Sequence, residues 1–195
     1  MFMKKMPLAY QLKQEKDWRR GVMPDVVRGK TVGILGLGIG GDVARLAKGV
    51  GMRVMATRRT AKPARNVDVL LPPDQLPQLL AESDFVVVAL PLTRETHRII
   101  GEKELRAMKP TAYIINIARG DIIDEEALIR ALEEHWIAGA GLDTVDSEPL
   151  VKTSPLWEMP NVILTPHIGG SIPDGMKASA DFFADNLRRY LNGKR

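Results

Sequence analysis

Short apolar runs alternate with segments of helical periodicity along almost the whole chain. Residues 31–35 (TVGIL), 53–57 (RVMAT), 85–90 (FVVVAL), 112–117 (AYIINI), 137–142 (IAGAGL) and 162–164 (VIL) have the length and composition of strands, several of them apolar enough to be buried on both faces of a parallel sheet, while 67–71 (VDVLL) is a short run inside a loop. Between them, Val43, Leu46, Ala47 and Val50 form a stripe at 3.6-residue spacing, ended by Gly49 and Gly51, and Leu76, Leu79 and Leu80 share a helical face within 74–82. Residues 96–108 are expected to be helical. Asp124 is a good N-cap, with Glu125 and Glu126 in the first turn and Leu128, Ile129 and Leu132 behind them. Ser171 and Asp174 start a last helix carrying Phe182, Phe183, Leu187 and Leu191, and residues 1–20 carry Met3, Met6, Leu8, Leu12 and Trp18 on an imperfect apolar face. Residues 24–30 and the proline-punctuated 63–73 are connections. Strands alternating with helices in this way give an α/β fold with a doubly wound parallel sheet. The expected division is an arm over 1–26, the main domain over 27–172 and a C-terminal helix over 173–195.

The turn after the first strand narrows the fold to a Rossmann-type dinucleotide-binding domain. In GLGIGG, Gly36 permits a tight turn, Gly38 removes a side chain that would block a phosphate, and Gly41 is expected to let the helix approach the strand. The helix N-terminus then offers free N–H groups to an anion. Such a turn is weak evidence in a loop and far more specific between a strand and a helix. Gly40 is an extra glycine where a helix former is expected, at a cost of about 1 kcal/mol relative to alanine. The second strand ends at Arg58 and Arg59, where a carboxylate would ordinarily hold a ribose diol. A guanidinium cannot accept hydrogen bonds but binds phosphate well, which favours NADP(H) over NAD(H); the alternative is two solvated loop arginines.

Composition bounds the rest. The 195 residues suit one ordinary domain, 45% hydrophobic and 27% charged residues suit a soluble globular chain, and no run is long and apolar enough to span a bilayer. Without cysteine there is no disulfide framework or thiolate nucleophile, so a cytoplasmic enzyme is the simplest setting. No metal site is expected. The net charge of +4 comes largely from dispersed cations at the two ends (Lys4, Lys5, Lys13, Lys16, Arg19, Arg20, Arg188, Arg189, Lys194, Arg195), which read as solvated helix faces, without the interleaved aromatics of a nucleic-acid surface.

In doubly wound sheets ligands bind beyond the C-terminal strand ends. Three polar clusters follow strands there: NIARGD (116–121), GLDTVDSEPL (141–150) and TPHIGG (165–170). From Trp18 onward the strings WRR, GKTVGILGLGIGG, PLTRETHRIIG, KPTAYIINIARGDIIDEEAL, GAGLDTVDSEPL and PNVILTPHIGG closely resemble the D-isomer-specific 2-hydroxyacid dehydrogenases. The resemblance implies hydride transfer between a nicotinamide cofactor and a small 2-keto or D-2-hydroxy acid, with Arg119, Glu148 and His167 as the catalytic trio. Arg119 would hold the substrate carboxylate, His167 would donate a proton to the carbonyl oxygen, and Glu148 would favour the protonated imidazole. Asp143 would accept from the carboxamide of the cofactor. The implied cofactor set is Gly36, Gly38, Ile39, Gly40, Gly41, Thr57, Arg58, Arg59, Leu90, Pro91, Thr96, Ile117, Ala118, Asp143, His167 and Gly169. Singly, Arg119 reads equally as a helix-flanking ion pair, Glu148 as a turn residue and His167 as a capped loop histidine. His97 and His135 are expected at the surface, and Trp136 and Trp157 in a core or an interface.

Family members have two domains, and the substrate domain built before the nucleotide fold is largely missing here; the sequence begins inside what resembles the inter-domain helix. Ile39 and Gly40 stand where the family has a polar or basic and then an aliphatic residue. The resemblance also implies a homodimer with the leading helix reaching across. A second reading is a catalytically idle dinucleotide-binding or dimerisation module, or a truncated relic.

Overall fold

The computed structural model describes residues 1–60 and 62–193. Lys194 and Arg195, counted above among the terminal cations, lie outside the described residues. Seven strands, β1 (Thr31–Leu35), β2 (Arg53–Thr57), β3 (Val69–Leu71), β4 (Phe85–Val88), β5 (Tyr113–Asn116), β6 (Gly139–Leu142) and β7 (Val162–Leu164), form one sheet in the order β3-β2-β1-β4-β5-β6-β7. Every pairing is parallel, in register from Thr31 against Arg53 to Leu142 against Leu164. The order in which the chain visits the sheet reverses between β1 and β4, so a crevice opens beyond their C-terminal ends.

Alternate residues of each strand feed two cores. On one face α3 (Leu76–Glu82), α4 (Glu102–Ala107) and α5 (Glu125–Glu133) bury Leu79, Leu80, Leu105, Leu128 and Leu132 against Val86, Val88 and Ile114. On the other, α2 (Gly40–Gly49) covers Val32, Ile34, Val54 and Val87. Asp124 caps α5 as expected, accepting the Ala127 N–H at 3.1 Å.

Several expectations are corrected. The stripe of α2 that faces the sheet is Gly40, Ala44 and Ala47, while Leu46 and Val50 are 60% and 50% exposed. A Cβ on Gly40 would lie 2.7 Å from Ile34 Cγ2, whereas one on Gly41 meets nothing within 4 Å, so Gly40 provides the close approach assigned to Gly41. Residues 1–20 do not form one helix. A 3-10 turn (Phe2–Lys4) closes on Lys5 at φ 52, and α1 (Met6–Glu15) begins there with Pro7 in its first turn, where proline's missing N–H costs nothing. Lys16 at φ 57 ends it, leaving Trp18 outside the helix and 90% exposed. The helix expected over 96–108 shrinks to α4, because the Thr96 hydroxyl is tied to Pro91 O at 2.6 Å and Arg98 takes φ 49. Finally, α6 (Gly175–Leu191) starts after Asp174 at φ 60 without a side-chain cap, and it buries none of its residues.

Candidate active site

The loop after β1 is shaped to receive an anion. Gly36 has φ +89, and a Cβ on it would lie 2.8 Å from Ala89 O, so only glycine lets this turn pass the end of β4. Among the described residues the N–H groups of Gly38, Ile39 and Gly40 have no main-chain acceptor, and the space over Gly38 and Gly41 is open. These are the donors a pyrophosphate uses at a helix N-terminus. Thr57 closes the neighbouring strand end, its carbonyl accepting Gly36 N–H at 3.3 Å. Arg58 and Arg59 follow beside a hollow that they share with Pro63, Val67 and Pro72, and neither forms an ion pair among the described residues. A nicotinamide dinucleotide therefore fits the donors present. Across the crevice Leu90 touches the Gly36 turn, and Pro91 and Thr96 close the loop after β4.

Beyond β5, Asn116 folds the loop that carries Arg119. Its amide donates to Arg119 O at 2.8 Å and its carbonyl accepts Ala118 N–H at 3.0 Å, leaving Ile117 half-buried, Ala118 buried and Arg119 exposed. Gly120 is essential to the next step: a Cβ there would collide with the Val145 carbonyl, so the Arg119 loop lies directly on the loop after β6. That second loop carries Glu148, whose Oε2 is 2.7 Å from His167 Nδ1. His167 itself has φ 52, a backbone state that non-glycine residues adopt at a cost and that clusters at functional sites.

Asp143 ties the remaining loop in place. It accepts the Thr165 hydroxyl at 2.5 Å and the N–H groups of Ile168 and Gly169 at 3.1 and 2.8 Å. Burial works against ionisation of Asp143, but these three donors, with His167 nearby, outweigh it and hold its carboxyl below the ordinary carboxylate value. A Cβ on Gly169 would lie 2.7 Å from Asp143 Oδ2, so glycine leaves the carboxylate its room.

The sequence profile described as D-isomer specific 2-hydroxyacid dehydrogenase, NAD binding domain, matches residues 1–169. The chain belongs to this family. The glyoxylate reductase of Thermococcus gammatolerans is 51% identical over 169 residues, covering 86% of this chain and 50% of that protein. The Pyrococcus furiosus glyoxylate reductase is 46% identical over 167 residues, 85% of this chain and 49% of the relative. This chain thus spans about half the length of the curated relatives it matches. Among solved structures, the Xanthobacter autotrophicus Py2 D-isomer specific 2-hydroxyacid dehydrogenase in complex with NADPH and MES superposes with a TM-score of 0.89 at 36% identity, over 100% of this chain and 79% of that one.

The match reaches back to residue 1, so it takes in the residues before Trp18, where the strings of the sequence begin. Of the trio, Glu148 and His167 are in direct contact, and Arg119 joins them through the Gly120–Val145 packing. His97 and His135 are exposed, as expected. Trp136 packs against the core beneath the Arg106 guanidinium, 3.4 Å from its ring centroid. Trp157 is in no core: it is 55% exposed beside His167 and Glu148. Asn116, Gly120, Thr165 and Trp157 were not singled out as site residues; a polar residue ending a buried strand and a hydroxyl two positions before the histidine were the available signals for Asn116 and Thr165.

Proposed function

We propose that the chain is the nucleotide-binding and catalytic half of an NAD(P)-dependent oxidoreductase that interconverts 2-keto acids and D-2-hydroxy acids. The observation that carries this reading is the His167 Nδ1 to Glu148 contact of 2.7 Å at the C-terminal edge of the sheet. With Nδ1 engaged, Nε2 is the nitrogen left to give a proton to a carbonyl oxygen or to take it back from the alcohol. Arg119 supplies a planar fork for the carboxylate one bond away and draws charge from the carbonyl. The bound cofactor supplies the hydride. Among curated relatives the name glyoxylate reductase recurs, and small 2-keto acids of that class are the proposed substrates.

NADP(H) is the preferred cofactor, because two arginines without ion-pair partners among the described residues follow β2 where a 2′-phosphate would sit. Residues 1–26 serve as an arm and 173–195 as a terminal helix flanking the nucleotide domain, and the working unit is a homodimer in the cytoplasm. Fluorescence titration is expected to give tighter binding of NADPH than NADH, with Arg58→Ala removing the difference. Steady-state reduction of glyoxylate, hydroxypyruvate and pyruvate should fall by about 10²–10⁴-fold in His167→Ala. An unchanged rate in that variant, or no dinucleotide binding, overturns the reading; binding without turnover by wild type points to the idle module instead.

A further inference from the structure

The loops that follow β4, β5 and β6 are joined through Arg98, which the chemistry proposed above leaves unused. Its backbone takes φ 49, and its N–H donates to Asp121 O at 2.7 Å. Ile100 and Ile123 then form a parallel bridge, so the loop after β4 runs alongside the segment that leads from Arg119 into α5. The Arg98 side chain reaches two neighbours. One guanidinium nitrogen, Nη2, lies 3.6 Å from Asp146 Oδ2 on the loop after β6, and the other, Nη1, lies 4.0 Å from Asp124 Oδ2 at the N-cap of α5. Contacts of this length between partly exposed groups are worth little as isolated ion pairs. Their weight comes from what surrounds them.

The surroundings are acidic. The Arg119 loop and the Glu148 loop touch where Gly120 meets the Val145 carbonyl, and the residues that follow these two in the chain are Asp121 and Asp146. Asp124 and Glu125 stand at the start of α5, where Glu125 accepts the Asp146 N–H at 2.9 Å. Burial, and after it the Asp121 carboxyl, raise the Asp146 carboxyl above its ordinary value, as happens where like charges meet. Among the described residues the ion pairs of Asp121, Asp124 and Asp146 go to Arg98 and to His97, and His97 counts only when protonated. The arginine is charged at every working pH.

We propose that Arg98 is a positioning residue: its fixed positive charge among these carboxylates keeps the Arg119 loop against the Glu148 loop, so that Arg119 and the Glu148–His167 pair address one substrate. The inference rests on the roles given above to Arg119, Glu148 and His167. The Val145 N–H donates to Glu148 Oε1 at 3.3 Å, so a shift at the Asp146 end of the loop passes to the carboxylate that holds the imidazole. Such a shift is costly, since a misplacement of about 1 Å can lower a rate by about 10²-fold.

The test combines amide hydrogen exchange by NMR on the full chain with steady-state reduction of glyoxylate by NADPH. The variants are Arg98→Gln, Arg98→Lys, and Arg98→Gln combined with Asp146→Asn. Glutamine keeps a Cβ at this backbone position and removes the charge. Arg98→Gln should lower the protection of the N–H groups at 145 and 146, each relative to its intrinsic rate, by about two- to fivefold. It should lower kcat/KM by about tenfold. The Val54 N–H, held in the sheet by Asp68 at 2.8 Å, should keep its protection, which separates a local opening from a weakened fold. Lysine should recover most of both losses, and so should the double variant, because the repulsion that Arg98 offsets has then gone. Unchanged protection at 145 and 146 in Arg98→Gln overturns the inference, as does lost protection with an unchanged rate, or a rate loss that neither lysine nor Asp146→Asn recovers. A wild type that turns over no 2-keto acid overturns the function proposed above, and the exchange measurements then decide alone whether Arg98 holds the two loops together.

Discussion

Asp146 sits where the loop carrying Arg119 meets the loop carrying Glu148, and its charge works against the fold. Burial raises its carboxyl above the usual range, and the neighbouring Asp121 carboxyl raises it further, against the pull of Arg98, whose guanidinium lies 3.6 Å away. A carboxyl raised in the folded state costs stability above its folded pKa, and the cost disappears below the unfolded value. Asp146→Asn keeps a donor for Asp121 without the second charge. Urea unfolding should therefore show the variant more stable at pH 7 by on the order of 0.5 kcal/mol, with the gain vanishing near pH 3.5; a less stable variant at pH 7 would contradict this account. At this scale the sequence singled out Arg119, Glu148 and His167 and missed the residues that hold their loops. Arg119, Glu148 and His167 stand in strings of high specificity. The demand on Gly120 arises only when Val145, 25 positions later, is folded against it.

Among the elements, strands were the most legible, because a run buried on both faces is apolar throughout and needs no partner to be recognised. Helix faces were less so. The sheet-facing side of α2 is its smallest rather than its most hydrophobic side, since Gly40, Ala44 and Ala47 set how near the helix comes to Ile34. Larger residues on its flank, Leu46 and Val50, stay exposed, as do Met23 and Val26 in the arm, at 80% and 57%, together with Trp18. Exposed apolar groups at this density call for cover. Phe2 already binds the arm to the sheet by stacking on Tyr113 with centroids 4.5 Å apart, so the arm is positioned to present its other side to a second copy. Analytical ultracentrifugation at micromolar concentration should give twice the mass of the chain, and a double change Met23→Asp with Val26→Asp should return it to one. A clean wild-type monomer would remove the homodimer from the proposal.

Across the whole molecule, three aspartates lock elements that are distant in sequence. Asp84, just before β4, accepts the Thr31 N–H that opens β1 at 2.8 Å and the Lys109 ammonium at 2.9 Å. Asp68, before β3, accepts the Val54 N–H of β2 at 2.8 Å and pairs with Lys48 of α2. Asp143 holds residues 165–169 over the end of the sheet. Burial opposes ionisation at Asp84 and Asp143, yet their donors prevail, and at Asp68 the Val54 N–H dominates, so all three carboxyls lie below the ordinary value. The sign follows directly. A depressed folded pKa stabilises the protein at every pH above the unfolded value of about 3.9, and that contribution is lost as pH falls from there through the folded values. The urea midpoint should hold between about pH 5 and 7 and drop steeply below about pH 4. Asp84→Asn should cost about 1 kcal/mol at pH 7, since a neutral amide oxygen replaces a charge-assisted acceptor, and should flatten the acid limb because one of the three protonation steps has gone. A wild-type midpoint that stays constant down to about pH 2.5 would mean these carboxylates bear none of the stability assigned to them. Asp146 acts with the opposite sign and on the other side of that value, its cost easing as pH falls toward about 3.9 while the contribution of the three depressed carboxyls is lost only below it.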